Sequence, residues 1–289
     1  MAYRRPKTID DCVFCPPNLG VKTPPQTVYP TLKTPGGNLI VSFPNMYPAF
    51  DEHTVTLFGD HIRTLKDIKY EDVVNYFSSM FQLAWHYKSR NKVGMVNFFN
   101  FGQNSGASQE HLHYQSAPIQ DEAEFFRHNS RADYMQQLRA NEDYFAMLID
   151  TIKKKPELVI HEDDGLFIFA MNAPLHPHHI GVIFKKRSNV LDYWSKAPTE
   201  IPEALQNDAR GLLGIFHMMA DEGMTDANMK IYQSTFDGQP SGFRIHAELY
   251  FPTNHRRGAF EGDGKIVLIP TDPLHTAKIG REHYSKLNQ

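Results

Sequence analysis

The sequence predicts an α+β fold in which one domain occurs twice, with antiparallel sheets and flanking helices. Two observations lead to this prediction. Short apolar runs typical of buried strands alternate with two amphipathic helical stretches, and the order strand, helix, strand of the first half returns in the second half. A repeat longer than about 120 residues indicates a duplicated domain rather than a solenoid.

Length and composition agree with two globular units. The chain has 289 residues, of which 41% are hydrophobic and 22% charged, so it can bury a core without disulfides. A net charge of −3 disfavours nucleic-acid binding through a basic excess. No apolar run reaches the length of a membrane span, and the N-terminus lacks a signal-peptide core. We therefore expect a cytoplasmic protein with no nucleic-acid or membrane partner.

The chain divides into four segments. Residues 1–37, rich in Pro, Gly and Thr, are predicted to be irregular, and residues 38–120 form the first repeat. Residues 121–157 form a polar helical linker, and residues 158–289 form the second repeat.

Each repeat has its own run of elements. In the first repeat, strands are predicted at 38–43, 53–58, 94–102 and 111–119, with a helix at 70–87. In the second repeat, a hairpin is predicted at 158–171, strands at 179–184, 229–236 and 243–251, and a helix at 201–219. His53 and His179 precede matching strands 126 positions apart, and placing His246 on His111 gives an offset of 135.

The motif GASQEHLHYQ carries the most specific chemistry. On a strand, His111, His113 and Gln115 share one face, so two imidazoles and an amide point together. A neutral imidazole is a competent nucleophile toward phosphorus, and a side-chain amide can donate to a phosphate oxygen. The preceding NFGQNSGAS supplies small residues whose backbone N–H groups can approach phosphates.

These residues resemble the galactose-1-phosphate uridylyltransferase branch of the histidine-triad superfamily. Gln115 stands where the wider superfamily has a third histidine. A glutamine at this position is similar to the transferase and phosphorylase branch. The resemblance implies that His113 is the nucleophile and Gln115 the phosphate-positioning amide. It also implies nucleotide contacts from Asn100, Gly106 and Ser108.

The chain's two cysteines, Cys12 and Cys15, lie in one CVFC motif. By itself this spacing suits half of a tetrahedral zinc site, a redox pair or free thiols. CVFCPPN resembles the family's CxxCPGN opening, which implies a structural zinc ion held by these cysteines with His61 and His111. Four protein ligands would leave the metal no open position for catalysis.

Other polar clusters are weaker. Relatives often hold a second metal near the strand of His246 and Glu248, but Glu248 and Gln233 replace ligand histidines, which favours a structural pair. His176, His178 and His179 are expected in a rim or dimer-edge loop. The following cations are candidate phosphate contacts or plain surface charges: Arg63, Lys185, Lys186, Arg187, Arg244, Arg256, Arg257 and Lys265.

The function implied is transfer of a nucleoside monophosphate through a covalent nucleotidyl-histidine. The substrates would be a nucleotide sugar or dinucleotide and a phosphate-bearing acceptor. The alternatives are a phosphorylase with inorganic phosphate as acceptor, a histidine-triad hydrolase, and a nucleotide-binding module without catalysis. The family's hexose-recognition stretch has no clear match here, and relatives are commonly homodimers.

Overall fold

The computed structural model describes residues 9–25, 32–61, 64–128, 143–194, 200–239, 241–252, 269 and 271–287. The strands are β1 (Leu32–Lys33), β2 (Leu39–Pro44), β3 (Thr54–Leu57), β4 (Gly94–Phe101), β5 (His113–Ile119), β6 (Val159–Glu162), β7 (Leu166–Ala170), β8 (Ile180–Phe184), β9 (Ala227–Tyr232) and β10 (His246–Tyr250). The helices are α1 (Tyr70–Ser89), α2 (Glu122–His128), α3 (Tyr144–Lys153), α4 (Glu203–Asp221) and α5 (Pro273–Leu287).

The strands form one ten-stranded sheet in the order β1-β2-β3-β5-β4-β9-β10-β8-β7-β6. The first five strands run β1-β2-β3-β5-β4 from the outer edge inward, and the last five run β6-β7-β8-β10-β9 in the same sense. All neighbouring strands are antiparallel. The predicted duplicated α+β fold is confirmed, with the two half-sheets joined edge to edge through β4 and β9.

The pairing register corrects the predicted alignment of the repeats. Val55 of β3 lies opposite Gln115 of β5, and Gly181 of β8, 126 positions after Val55, lies opposite Glu248 of β10. Gln115 and Glu248 are therefore equivalent, and counting back two residues makes His246 the counterpart of His113. The predicted match of His246 with His111 is wrong by two residues, because the outer strands keep an offset of 126 while β5 and β10 are 133 apart.

Helices α1 and α4 cover one face of the sheet on either side of the β4–β9 junction. Tyr114 of β5 donates a hydrogen bond to Ser79 on α1, and Phe99 of β4 packs edge-on against Phe216 on α4. Side chains alternate across a strand, so the neighbours of Tyr114 point to the opposite face. His113 and Gln115 lie on that opposite face, where Phe14 of the N-terminal segment packs against the ring of His113.

Some element boundaries differ from those predicted. β5 begins at His113 rather than at residue 111, and β1 lies in the segment predicted to be irregular. Helices α2 and α3 fall within the predicted linker, while residues 129–142 lie outside the described part of the chain. Helix α5 was not predicted, and its Tyr284 stacks on His161 of β6. Within the described ranges, no helix is both long and apolar enough to span a bilayer.

Candidate active site and metal centre

His113, the predicted nucleophile, is the first residue of β5 and is only 4% exposed. Its Nδ1 lies 2.7 Å from the carbonyl oxygen of His111. A carbonyl can only accept, so Nδ1 carries the proton and the lone pair is left on Nε2. Burial lowers the pKa of His113, which favours the neutral imidazole that nucleophilic attack requires.

Gln115 lies two residues further along β5, on the same face as His113. Its side-chain oxygen accepts a hydrogen bond of 2.9 Å from Nδ2 of Asn45, which follows β2. The amide nitrogen of Gln115 is therefore the end that can donate to a substrate. Because alternate residues of a strand share one face, β5 presents the imidazole of His113 and the amide donor of Gln115 side by side.

A cavity of about 270 Å³ opens over these two residues. One wall is apolar and includes Phe14, whose ring meets His113 edge-on at 5.3 Å. The cavity is also lined by Ser108, whose nucleotide contact stays a prediction, and by Lys22, which the sequence did not single out. The remaining lining residues are Val13, Thr23, Phe43, Asn45, Met46, Tyr47, Val55 and Gln109.

The predicted contacts Asn100 and Gly106 do not line this cavity. Asn100 lies on β4 opposite Asn228, and Gly106 follows a short 3-10 turn in the left-handed conformation. The glycine-rich loop is instead tied to the second repeat by Asp226, which accepts a hydrogen bond from the backbone N–H of Asn104. The role of Asn100 and Gly106 in nucleotide binding stays a prediction.

The structure brings together the four predicted metal ligands. Ligand atoms of Cys12, Cys15, His61 and His111 all lie within 4.8 Å of one another. Cys15 Sγ is 3.2 Å from Nδ1 of His111 and 3.7 Å from Nδ1 of His61, and Cys12 Sγ is 3.9 Å from Nδ1 of His111. Thiolate and imidazole ligands of one tetrahedral zinc ion are about 3.5 Å apart. The cluster therefore has the size and the donor set of a metal site.

The surroundings of the cluster also suit a metal ion. Nε2 of His111 lies 3.1 Å from the Gly59 carbonyl and must donate to it, so Nδ1 keeps a lone pair toward the cysteines. Nε2 of His61 lies 3.7 Å from the buried carboxylate of Glu110. Without a cation, burial and the neighbouring Cys12 raise the pKa of Cys15 to about 12. A bound cation would lower the pKa of Cys15 again, because it stabilises the thiolate.

The second-repeat residues predicted as a structural pair, His246 and Glu248, both have contacts within their repeat. His246 is 4% exposed, stacks on Tyr232 and contacts Phe145 and Phe243. Glu248 lies 3.6 Å from Nε2 of His179. In the part of the chain that the structure describes, the cluster formed by Cys12, Cys15, His61 and His111 is the sole group of His, Cys, Asp or Glu side chains that could hold a metal.

Three further polar residues of the second repeat also have contacts within that repeat. Gln233 accepts a hydrogen bond from the backbone of Val190. His176 stacks on Tyr250, and Nδ1 of His178 lies 3.1 Å from Thr276 on α5. These contacts place the two histidines in the second repeat, away from the cavity over His113.

None of the described candidate cations lines the cavity over His113. Lys185 pairs with Glu162, Lys186 with Asp164 and Arg244 with Asp143. Arg187 lies over the ring of Tyr193. Arg63, Arg256, Arg257 and Lys265 lie outside the described residues. No local pattern marked Lys22, because only folding brings its segment to β5.

Three solved structures with similar folds span almost the whole chain. A uridylyltransferase is 15% identical with a TM-score of 0.69, and the match covers 99% of this chain and 95% of that one. The ADP-glucose phosphorylase of Arabidopsis thaliana with bound ADP-glucose is 20% identical with a TM-score of 0.67, covering 96% and 92%. A GalT-like protein of Arabidopsis thaliana is 20% identical with a TM-score of 0.63, covering 97% and 95%.

No family model matches this chain, and no curated protein sequence matches it. The chain thus has the duplicated histidine-triad-like fold of the uridylyltransferase-like proteins, and the predicted resemblance is confirmed at the level of fold.

Proposed function

We propose that this protein is a nucleotidyltransferase in which His113 carries the nucleotide covalently. The observation that supports this most is the hydrogen bond from Nδ1 of His113 to the His111 carbonyl, on the wall of a cavity that Gln115 also lines. That bond fixes the tautomer with a nucleophilic Nε2, and burial keeps the ring neutral. The uridylyltransferase and phosphorylase neighbours have the fold that this chemistry would use.

The reaction consists of two displacements at one phosphorus atom. Nε2 of His113 attacks the α-phosphorus of a nucleoside diphosphate compound. A P–N bond forms, the P–O bond to the leaving group breaks, and its electrons leave with the phosphate oxygen. A phosphate oxygen of the acceptor then attacks, which forms a new P–O bond and returns the electron pair to Nε2. Gln115 would stabilise the negative charge of the phosphates during both steps, and Lys22 would attract the phosphates of the bound donor throughout.

The metal cluster would hold a structural zinc ion. Cys12, Cys15, His61 and His111 would supply four ligands and leave no position for substrate. The ion would tie the N-terminal turn to the residue that orients His113, because the carbonyl that accepts from His113 belongs to His111. Its contribution would be rigidity of the site rather than chemistry.

The acceptor defines the alternatives. A phosphate-bearing sugar gives a transferase, and inorganic phosphate gives a phosphorylase, which the missing match to the hexose-recognition stretch favours. Gln115 in place of a third histidine argues against a hydrolase that needs no acceptor. A homodimer, implied by the resemblance, is a further prediction that light scattering can test.

The covalent step can be tested without knowing the acceptor. Radiolabelled UDP-glucose, ADP-glucose and a dinucleoside polyphosphate are each mixed in excess with the protein, and no acceptor is added. We expect one of them to release about one equivalent of its leaving group in a burst and to leave acid-labile label on the protein. Adding phosphate or a hexose phosphate should then discharge the label. A folded protein that binds a donor but neither bursts nor retains label would support a binding module instead.

A further inference from the structure

The orientation of the Gln115 amide follows from a chain of hydrogen bonds that starts at the backbone. The Tyr47 N–H lies 2.9 Å from Oδ1 of Asn45, and an N–H can only donate. The oxygen of Asn45 is thereby fixed, so its NH2 group faces Gln115 at 2.9 Å. Gln115 must in turn present its oxygen, which leaves its own NH2 group for the cavity. The backbone N–H of Tyr47 therefore determines the orientation of both side-chain amides.

His53 favours the same orientation. Its Nδ1 lies 3.1 Å from the backbone N–H of Ala49 and must accept, so the proton of the neutral ring is on Nε2. Burial lowers the pKa of His53 and keeps the ring neutral, so Nε2 holds its proton beside the Gln115 side chain. Nε2 is buried and has no hydrogen-bond partner among the described residues, so its N–H favours an amide oxygen rather than an NH2 group on that side.

The second repeat has the same frame without the donor. The Asn45 N–H donates to the His53 carbonyl at 2.7 Å, and the Met171 N–H donates to the His179 carbonyl at 2.9 Å. Met171 therefore replaces Asn45, and Glu248, which replaces Gln115, has no N–H to offer. The asparagine and the glutamine occur together in the half that contains the cavity over His113.

We propose that Asn45 and His53 are positioning residues, which turn the NH2 group of Gln115 toward a phosphate bound beside His113. The proposal rests on the proposed function of that site. It assigns a role to two residues that need not touch the reacting atoms. They would affect the reaction only through the orientation of the Gln115 side-chain amide.

The test is N45D, which keeps the shape and the oxygen for Tyr47 but presents a second oxygen to Gln115. The glutamine must then turn its NH2 group away from the phosphate. With radiolabelled UDP-glucose or ADP-glucose, we expect His113 to be labelled about 100-fold more slowly in N45D. N45A, which leaves the amide free to rotate, should lose less. H53F should also lose less than N45D, and M171L in the second repeat should label like the wild type.

The background variant Q115A separates positioning from other effects. If Asn45 acts through Gln115, N45D, N45A and H53F should change the labelling rate of Q115A by no more than about twofold. Full effects in the Q115A background, or a loss in N45A as large as in N45D, would overturn the proposal in favour of charge repulsion or misfolding. If N45D does not fold, the same cycle with N45A and H53F decides the question.

A binding measurement makes the two proposals distinguishable. Calorimetry with UMP and AMP should show affinity about tenfold weaker in N45D than in the wild type, with no difference in the Q115A background. If this coupling is found but no donor labels His113, the positioning role stands and the transferase proposal fails. If labelling occurs but N45D matches the wild type in both readouts, the positioning role fails alone.

Discussion

The two repeats offer a comparison of one backbone frame with two sets of side chains. In the first repeat Nε2 of His111 donates to the Gly59 carbonyl at 3.1 Å. In the second, Nε of Arg244 donates to the Lys185 carbonyl, 126 positions further on, at 2.9 Å. The same backbone acceptor is therefore served by a metal ligand in one half and by a guanidinium group in the other.

The segments that pack on the two sites correspond as well. Phe14 meets the ring of His113 at 5.3 Å, and Phe145 meets the ring of His246 at 5.1 Å. Cys12 lies near His111 as Asp143 lies near Arg244, which it contacts at 2.8 Å. An ion pair thus occupies the place in the second repeat that the cysteine and histidine ligands occupy in the first.

The two repeats thus share one backbone frame, while the proposed catalytic side chains occur together in the first repeat alone. His246 keeps the hydrogen bond from Nδ1 to the carbonyl two residues earlier, at 3.0 Å. It is, however, stacked face to face on Tyr232, with ring centroids 4.8 Å apart. The rings of Phe145 and Phe243 also pack on His246. A second-repeat variant is therefore the natural control for a change in the first repeat.

The largest expected effect comes from replacing the nucleophile. H113N should lower turnover by at least about 10⁴-fold, because the covalent step then has no nitrogen lone pair. H246N removes the equivalent ring of the second repeat and should leave turnover per folded protein unchanged. Steady-state turnover per folded protein, measured with the donor that labels the wild type, checks both. Equal losses in the two variants would contradict the assignment of chemistry to the first repeat.

Removal of the metal should produce the next largest effect. C12A should abolish stoichiometric zinc in the purified protein and lower the free energy of unfolding by about 3 kcal/mol or more, since a structural metal contributes binding energy to the folded state. D143N breaks the corresponding ion pair of the second repeat, which is partly exposed, and should cost about 1 kcal/mol or less. Elemental analysis and chemical denaturation measure the two quantities. Zinc retained at one equivalent in C12A would rule out this site.

A buried acid gives the second repeat a pH dependence of its own. Burial raises the pKa of Asp208 to about 6, although the Tyr193 hydroxyl donates to it at 2.6 Å. Between pH 4 and 6 the folded protein holds this proton more tightly than the unfolded chain does, so the free energy of unfolding falls as pH rises. D208N should therefore stabilise the protein by up to about 3 kcal/mol at pH 7 and by nothing at pH 4.

Denaturation of D208N at both pH values tests this, with D164N as the control. The Asp164 side chain is fully exposed and should leave stability unchanged at either pH. An increase in the free energy of unfolding of D208N that is the same at pH 4 and pH 7 would show that packing, rather than the charge of Asp208, causes the effect.

The smallest predicted effect concerns binding of substrate. Lys22 is the one cation among the described residues that line the cavity over His113. K22A should raise KM for the phosphate-bearing donor about tenfold and change kcat little, because an exposed lysine attracts the phosphate equally in the ground and transition states. K185A, which removes a cation paired with Glu162, is the matched control. A fall in kcat with unchanged KM would give Lys22 a different role.

The metal cluster was predicted through the family resemblance, since the CVFC spacing alone left a redox pair or free thiols open, and the structure brings the four residues together. The sequence also predicted that His113 and Gln115 share a strand face, which follows from a period of two. The repeat register could not be predicted, because Arg244 bears no likeness to His111 and only strand pairing relates them. Asn45 and Lys22 were missed for a similar reason, since their roles come from distant contacts.

The most direct test of the central claim is where the nucleotide becomes attached. After reaction with the labelling donor, proteolysis at neutral or alkaline pH followed by mass spectrometry should find one nucleoside monophosphate, on the peptide containing His113. The peptide containing His246 should remain unmodified, although its histidine has the same backbone position and the same hydrogen bond. Nucleotide attached to His246, to both histidines or to neither would contradict the account.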